Sequence, residues 1–379
     1  MLSSDGWSAD GVADSVTGLA DSLTSFYRGR RVLITGNTGF KGAWLVLWLR
    51  KMGATTIGVA LPPVSPLSLF SSAQLDSSDD HVCDVRNLAD LRAVFEETEP
   101  EIVFHLAAQA IVGLSYQDPV ETFETNIMGS ANVLDCVRLQ SSVASAVMIT
   151  SDKCYENVER SSGYSEDDRL GGVDPYSASK AGAEIVVSSF TRSFLQEQGT
   201  ANVASARAGN VVGGGDWSEF RLIPDCVRSL RAKAPIRLRS PHATRPWQFV
   251  LEPLAGYLLL GMRLAQEVKG FQGAWNFGPP GDSTKTVEVG AQSVVDVWGE
   301  GTIEHVSSAP FHESKLLQLD STKARRELKW RSVLDFSGTL ALTTQWYKHQ
   351  HETRDASMRD YSLGQLGAFE ERLNRSIVL

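Results

Sequence analysis

Ser151, Asp152 and Lys153 follow the apolar run "SAVMIT" without a break, inside the stretch "MITSDKCYEN". A strand that ends in such a cluster places polar side chains in a crevice. The adjacent carboxylate and ammonium either form a surface ion pair or handle protons. A second set lies in "PYSASK", where Tyr176 and Lys180 stand four residues apart and share one face of a helix. A lysine cation beside a tyrosine lowers the phenol pKa. The phenol can then take a hydroxyl proton while hydride leaves the carbon that bears the hydroxyl. A third set is "TGNTGFKG", with Gly36, Gly39 and Gly42 at three-residue spacing. Glycine permits a tight turn and lets backbone N–H groups approach a pyrophosphate, and the start of a following helix adds partial positive charge.

The elements that must position these residues alternate along the chain. "RRVLITGNTGFKGAWLVLWLRKMGATTIGVAL" reads as strand, glycine turn, helix and second strand, with Gly53 placed to stop the helix. "DLRAVFEETEP", "VETFETNIMGSANVLDCVRLQ" and the segment opened by Pro175 read as helices. "EIVFHLAA", "SAVMIT" and "NVASARAGNVVG" read as strands. Strands alternating with helices predict a parallel sheet covered on both faces. The fold expected is therefore α/β: a Rossmann-type doubly wound parallel sheet with a smaller C-terminal substrate-binding lobe. Residues 29–215 form the dinucleotide domain and 216–350 mainly the lobe, with some chain crossing between them. Residues 1–28 are an N-terminal extension and 351–379 a tail. Val12, Val16, Leu19, Leu23 and Phe26 fall near helical spacing, so the extension is either a short amphipathic helix or a partly disordered leader. The run Gly213–Gly215 reads as a flexible loop, because no clear helix start follows it. Trp217, Trp247 and Trp275 read as core before substrate contacts.

Composition narrows the function classes. The 379 residues are 42% hydrophobic, enough for a substantial core, and carry 45 acidic against 36 basic side chains, a net charge of -9. No overall positive field would attract a nucleic acid. No apolar run approaches the roughly 20 residues that span a bilayer, and the acidic N-terminal stretch is unlike a signal peptide. Cys83, Cys136, Cys154 and Cys226 show neither CxxC pairing nor metal-ligand spacing with histidine. Reduced thiols, no metal and a cytoplasmic location are expected.

Within the dinucleotide unit, the second strand ends in "GVALPP", with neither an acidic residue for the adenosine ribose nor an arginine for a 2′-phosphate. NAD and NADP stay open at that position. Asp84, in "HVCDVRN", either accepts from the adenine amine or caps a helix.

"TGxxGFxG", "HLAAQ", "YSASK" and the strand-end Ser151 resemble the extended short-chain dehydrogenase/reductase (NAD-dependent epimerase/dehydratase) family. Within it, "TGNTGFKGAWL", "TSDKCYEN", "GNVVGGGDW", "RLIPD" and "RPWQFVLEPLAGYL" resemble the CDP-D-glucose 4,6-dehydratases, in order from about Arg30 to about Leu340. The resemblance implies NAD as cofactor and CDP-glucose as substrate. C4 is oxidised, water is eliminated across C5 and C6, and hydride returns to C6. Tyr176 is the C4 base with Lys180 and Ser151 beside it, and Asp152 is the acid for the C6 hydroxyl. Related dehydratases carry Asp-Glu where this chain has Asp152-Lys153. Lys153 is then either the C5 base or a cation that stabilises the enolate.

The resemblance also implies cofactor contacts at Gly36, Asn37, Thr38, Gly39, Phe40, Lys41 and Gly42 in the turn, at Asp84 and Val85, at Leu106, Ala107 and Ala108, and at Asn126, Thr150, Tyr176, Lys180 and Arg207. Substrate contacts fall on Gln109, Tyr116, Ser151, Asn210, Arg221, Arg237 and Arg245, with Arg239 weaker. Alternation in "PIRLRS" would put Arg237 and Arg239 on one strand face, and Arg245 is the best candidate for the diphosphate. A homodimer through the two long helices is the further expectation by analogy. Two competing readings are a 4-epimerase or reductase of the same superfamily, which would not need Asp152 and Lys153, and a non-catalytic NAD-sensing protein.

Overall fold

The computed structural model describes residues 18–195, 201–266, 270–306, 316–354 and 357–379. Val12 and Val16 of the expected leader helix lie outside the described residues. Helix α1 (Leu19–Tyr27) leads into β1 (Arg31–Thr35), α2 (Phe40–Lys51), β2 (Thr55–Ala60), the short α3 (Leu69–Ser72) and β3 (Asp80–Val82). There follow α4 (Leu88–Thr98), β4 (Ile102–His105), α5 (Val112–Gln117), α6 (Pro119–Phe123), α7 (Gly129–Leu139), β5 (Ser145–Ile149), α8 (Pro175–Phe190), β6 (Asn202–Ala208) and β7 (Val211–Val212). The C-terminal part holds α9 (Leu222–Arg231), β8 (Ile236–Leu238), β9 (Thr244–Pro246), β10 (Gln248–Phe249), α10 (Leu251–Ala265), β11 (Gly273–Phe277), β12 (Thr284–Thr286), α11 (Val287–Trp298), β13 (Ile303–His305), α12 (Phe336–Glu352) and α13 (Met358–Ser376).

Seven strands form one sheet in the order β11-β6-β5-β4-β1-β2-β3, and every pairing in it is parallel. A sheet covered on both faces needs apolar side chains on both, and the strands are accordingly near-continuous apolar runs. Val32, Ile34, Ile102, Phe104, Val147 and Ile149 face one core, while Leu33, Val103, Ala146 and Met148 face the other. Helix α10, apolar nearly all round, is buried against β5 and β6. The local signals explain the ends of α8. Asp174 accepts from the Ser177 backbone N–H at 2.9 Å and Pro175 occupies the first helical position.

Four details differ from the sequence-based expectation. The segment read as one long helix over 120–140 contains a π-helical turn, Glu124–Met128, between α6 and α7. The strand read over "NVASARAGNVVG" breaks after Ala208, and β7 pairs with β10 outside the main sheet. Gly213–Gly215 is a packed wall. A Cβ on Gly214 would lie 2.0 Å from the Trp346 ring, and Gly215 has φ +82° against Leu69. The extension and the tail are parts of the core, since Leu19, Leu23 and Tyr27 of α1 and Leu366, Phe369 and Leu373 of α13 are fully buried together.

Candidate functional site

The C-terminal ends of the strands open into a cavity of about 1190 Å³. At one end stands the glycine turn. Gly36 has φ +73°, and a Cβ there would lie 2.8 Å from the Ala107 nitrogen of the β4 loop. Gly39 N–H donates to the Gly36 carbonyl at 3.0 Å, closing the turn at the start of α2. A Cβ on Gly42 would lie 2.0 Å from the Gly36 carbonyl oxygen, so only glycine lets the helix sit this close. Thr35 Oγ1 accepts from Ala107 N–H at 3.1 Å and contacts His105 Nδ1 at 2.7 Å, joining the ends of β1 and β4. Burial holds the His105 imidazole down to about 3, so it serves as a neutral hydrogen-bonding group.

Thr38, Phe40, Lys41, Leu106, Ala107, Ala108, Asp84 and Val85 line this end of the cavity. The turn's close approach and the exposed backbone at a helix start fit a dinucleotide pyrophosphate. Asp84 is not a helix cap; Asn87 caps α4. Its carboxylate accepts from Arg86 N–H at 2.9 Å and Arg86 Nη2 at 2.7 Å, and these hydrogen bonds hold it below the usual carboxylate range. Arg86, which also lines the cavity, was not anticipated, although it stands two residues from Asp84 in "DVRN".

The other end of the cavity gathers the proton-handling set. Ser151 caps the single 3-10 turn Asp152–Cys154, accepting from Lys153 N–H at 3.2 Å and donating to Asp152 Oδ1 at 3.0 Å. Asp152 is 3% exposed, and its Oδ2 has no hydrogen-bond partner among the described residues. That oxygen faces a chain deliberately bare of side chain, since a Cβ on Gly209 would lie 2.8 Å from it. A buried carboxylate oxygen left open in a cavity is available to a ligand hydroxyl. Tyr176 and Lys180 enter from α8. Burial pushes the Tyr176 phenol up to about 12, against a hydrogen bond from Ser151 and the Arg221 cation, with Asp152 adding to the rise.

The expected lowering of the phenol by Lys180 is therefore absent in the ligand-free protein. The Lys180 ammonium lies on the Ile149 carbonyl at 3.4 Å, and burial brings it down to about 8. Lys41 reaches the same region from the glycine turn, with Nζ 5.9 Å from the Tyr257 ring centre. Burial, then Arg221 and Lys180, bring it down to about 7.

On the far wall, Arg221 donates to Asp216 Oδ2 at 2.7 Å. Burial opposes its charge, but the Asp216 carboxylate outweighs that and raises its pKa. Arg237 and Arg239 alternate with buried neighbours on and just beyond β8, both exposed and both lining the cavity, as do Arg245 on β9 and Asn210. Asp216 and Tyr347 complete this wall and were not anticipated. Tyr347 Oη donates to the Asp216 carbonyl at 2.5 Å from α12, over 100 residues away, a contact with no local sequence signal.

Several expected contacts fall elsewhere. Arg207 does not line the cavity. Its guanidinium is in a buried ion pair with Glu184 behind the floor, with Nε and Nη2 at 2.9 and 2.8 Å from the carboxylate. Asn126 sits behind the wall, exchanging hydrogen bonds with the Gln109 backbone at 2.9 and 3.0 Å and donating to Ser179 at 2.8 Å. Asn37 turns away to donate to Asp80 at 3.3 Å. Gln109 borders the cavity, but its amide is committed to Thr122 and to Ile111 N–H. Tyr116, on α5, is 41% exposed and not part of the cavity wall.

Fold and site together define a dinucleotide-dependent enzyme of the short-chain dehydrogenase/reductase type. The chain belongs to the GDP-mannose 4,6 dehydratase family, whose model matches residues 33–273. It is 44% identical over 330 residues to a CDP-glucose 4,6-dehydratase of Salmonella typhimurium, covering 86% of this chain and 92% of that protein. Among solved structures it is similar to the epimerase Mth375 of Methanothermobacter thermautotrophicus, with TM-score 0.76, 24% identity and coverage of 90% and 97% of the two chains. It is similar as well to a dTDP-glucose 4,6-dehydratase of Streptomyces venezuelae solved with NAD bound, with TM-score 0.72, 24% identity and coverage of 85% and 98%. At these identities the solved structures speak for the fold.

Proposed function

We infer that the protein converts CDP-D-glucose to CDP-4-keto-6-deoxy-D-glucose and water. The observation that carries this is the placement of Asp152 and Lys153 across one cavity from Tyr176 and Lys180. An epimerase needs only the second pair. The 44% identical CDP-glucose 4,6-dehydratase supports the choice of reaction and of substrate. NAD, held at the glycine turn, supplies a hydride acceptor for C4 and a donor for C6. Tyr176 takes the C4 hydroxyl proton and Ser151 hydrogen-bonds the C4 oxygen. Lys180 places a cation near the phenol. The C4 ketone acidifies the C5 hydrogen. Lys153 takes that proton or stabilises the enolate as a cation, and Asp152 gives its proton to the C6 hydroxyl as water leaves. Arg221, Arg245, Arg237 and Arg239 face the nucleotide diphosphate, where guanidinium groups bind phosphate oxygens in pairs.

A homodimer belongs to the same proposal. Val120, Phe123 and Met128 on the α6–α7 stretch and Ile185 on α8 are exposed apolar side chains, as a helix-to-helix interface requires. Among the described residues no helix is long and apolar enough to cross a membrane, and all four cysteines are free and buried; both support a reducing, cytoplasmic setting. The test is incubation with CDP-glucose and NAD, followed by alkali and the ultraviolet absorbance of a 4-keto-6-deoxy sugar. Product from CDP-glucose in clear preference to UDP-, GDP- or dTDP-glucose is expected. No keto sugar from any of them would overturn the reading.

A further inference from the structure

We infer that the buried Glu184–Arg207 pair positions the catalytic turn, holding Asp152 and Lys153 in register with Tyr176 and Lys180 for the water-loss half of the reaction. This rests on the dehydratase reading above. The two side chains are 3% and 4% exposed. A buried ion pair is poor value for stability alone, because well-packed apolar residues do as well or better. What distinguishes this pair is its reach.

Glu184 stands one helical turn beyond Lys180 on α8 and accepts hydrogen bonds from Thr150, from Ser205 at 2.7 Å and from two nitrogens of Arg207. The remaining guanidinium nitrogen of Arg207 donates to Tyr155 Oη at 2.6 Å and to the Glu166 carbonyl at 3.3 Å. Tyr155 Oη in turn donates to Asn276 Oδ1 at 2.8 Å. Thr150 and Tyr155 are the residues on either side of Ser151–Cys154. One network therefore grips both ends of the catalytic turn and anchors them to α8, β6 and β11. Gly209, two residues beyond Arg207, is the backbone against which Asp152 Oδ2 rests. A shift at the end of β6 would move that backbone into the acid. Tyr176 and Lys180 do not depend on the network in this way, because the helix itself fixes their spacing.

The consequence is a split between the two halves of the reaction. Loosening the network leaves C4 oxidation in place and impairs elimination. Tyr155→Phe removes the hydroxyl that ties the turn to Arg207 and Asn276 and leaves the ion pair intact; Glu184→Gln weakens the pair itself. Wild type and both variants are mixed rapidly with NAD and CDP-glucose, and reduced nicotinamide and keto-sugar product are followed over one turnover. Thermal unfolding serves as the folding control.

In Tyr155→Phe we expect reduced nicotinamide to form within about twofold of the wild-type rate, and product to form roughly tenfold or more slowly, as a displacement of an ångström or less would cause. Reduced nicotinamide then accumulates. Glu184→Gln is expected to shift the same way; if it does not fold, Tyr155→Phe alone decides. Equal slowing of both halves, or no change in either, overturns the positioning role. Wild type that makes neither reduced nicotinamide nor keto sugar overturns the functional reading, and this inference with it.

Discussion

Lys153 is the residue whose role divides most sharply. It lines the cavity beside a capped, buried acid, in the place where related dehydratases carry a base. With substrate deuterated at C5, Lys153→Met is expected to lose exchange of the C5 position with solvent by roughly a hundredfold, the scale of one general base. Undiminished exchange would leave only the electrostatic role. Gly209 makes a complementary prediction. Gly209→Ala drives a methyl group to 2.8 Å from the Asp152 carboxylate, so keto-sugar formation is expected to fall about tenfold or more while the thermal transition stays near wild type. The lysines give a pH dependence. Below their pKa values Lys41 and Lys180 are cations, and burial has brought these to about 7 and about 8. Their charge is lost as pH rises through that range, so CDP affinity measured by titration should weaken between about pH 6 and pH 9. Lys41→Met should flatten the lower part of that curve.

At the scale of elements, most of what positions the site was legible. The βαβ unit, the Pro-initiated α8 and the strand ending at Ser151 all carry local signals of period, cap and turn. The misplacement of Arg207 is instructive. In "VASARA", Ser205 and Arg207 occupy alternate positions and so share one face of a central strand. Polar residues there need a buried partner, and the helix that carries Tyr176 and Lys180 supplied one at Glu184. The signal existed, but it indicated a partner within the protein. Gln109 and Asn126 were misread for the opposite reason. Their hydrogen bonds cross between a loop and a π-helical turn that periodicity does not report.

Helix α10 yields a stability prediction. Glu252 in its first turn accepts from Val333 and Leu334 N–H at 2.9 and 2.8 Å, and burial raises its carboxyl from 4.5 to about 8. The folded state thus keeps a proton that the unfolded chain gives up above about 4.5. Stability is full below that value and declines as pH climbs to about 8, then levels. Glu252→Gln should remove that decline, a difference of roughly 1–4 kcal/mol across the window in denaturant unfolding.

At the scale of the whole molecule, the boundaries drawn from sequence were the least legible feature. Composition separates residues 1–28 and 351–379 from the middle of the chain, but packing joins them. Leu19 N–H donates to the Ile377 carbonyl at 3.0 Å, Ala20 N–H to Asn374 Oδ1 at 2.7 Å, and Tyr27 Oη to the Leu258 carbonyl at 2.7 Å. Such contacts span most of the chain and leave no mark within a window of local sequence. Leu23, fully buried among them, is expected to cost about 2–5 kcal/mol when changed to alanine. Chemical denaturation would show it, and a change below about 0.5 kcal/mol would place α1 outside the cooperative unit.

The edge strand β11 carries a last consequence, for the order in which the molecule is made. The strand that completes the sheet beside β6 is residues 273–277, and the Tyr155 hydroxyl beneath the catalytic turn ends on its Asn276. During synthesis the glycine turn, the Tyr176 helix and the acid at Asp152 all emerge well before it. Until then β6 is an open edge, ready to pair with another chain. A nascent or truncated chain ending near residue 215 would hold every catalytic side chain and still present that edge, so it should gather chaperones or aggregate before it turns over any sugar.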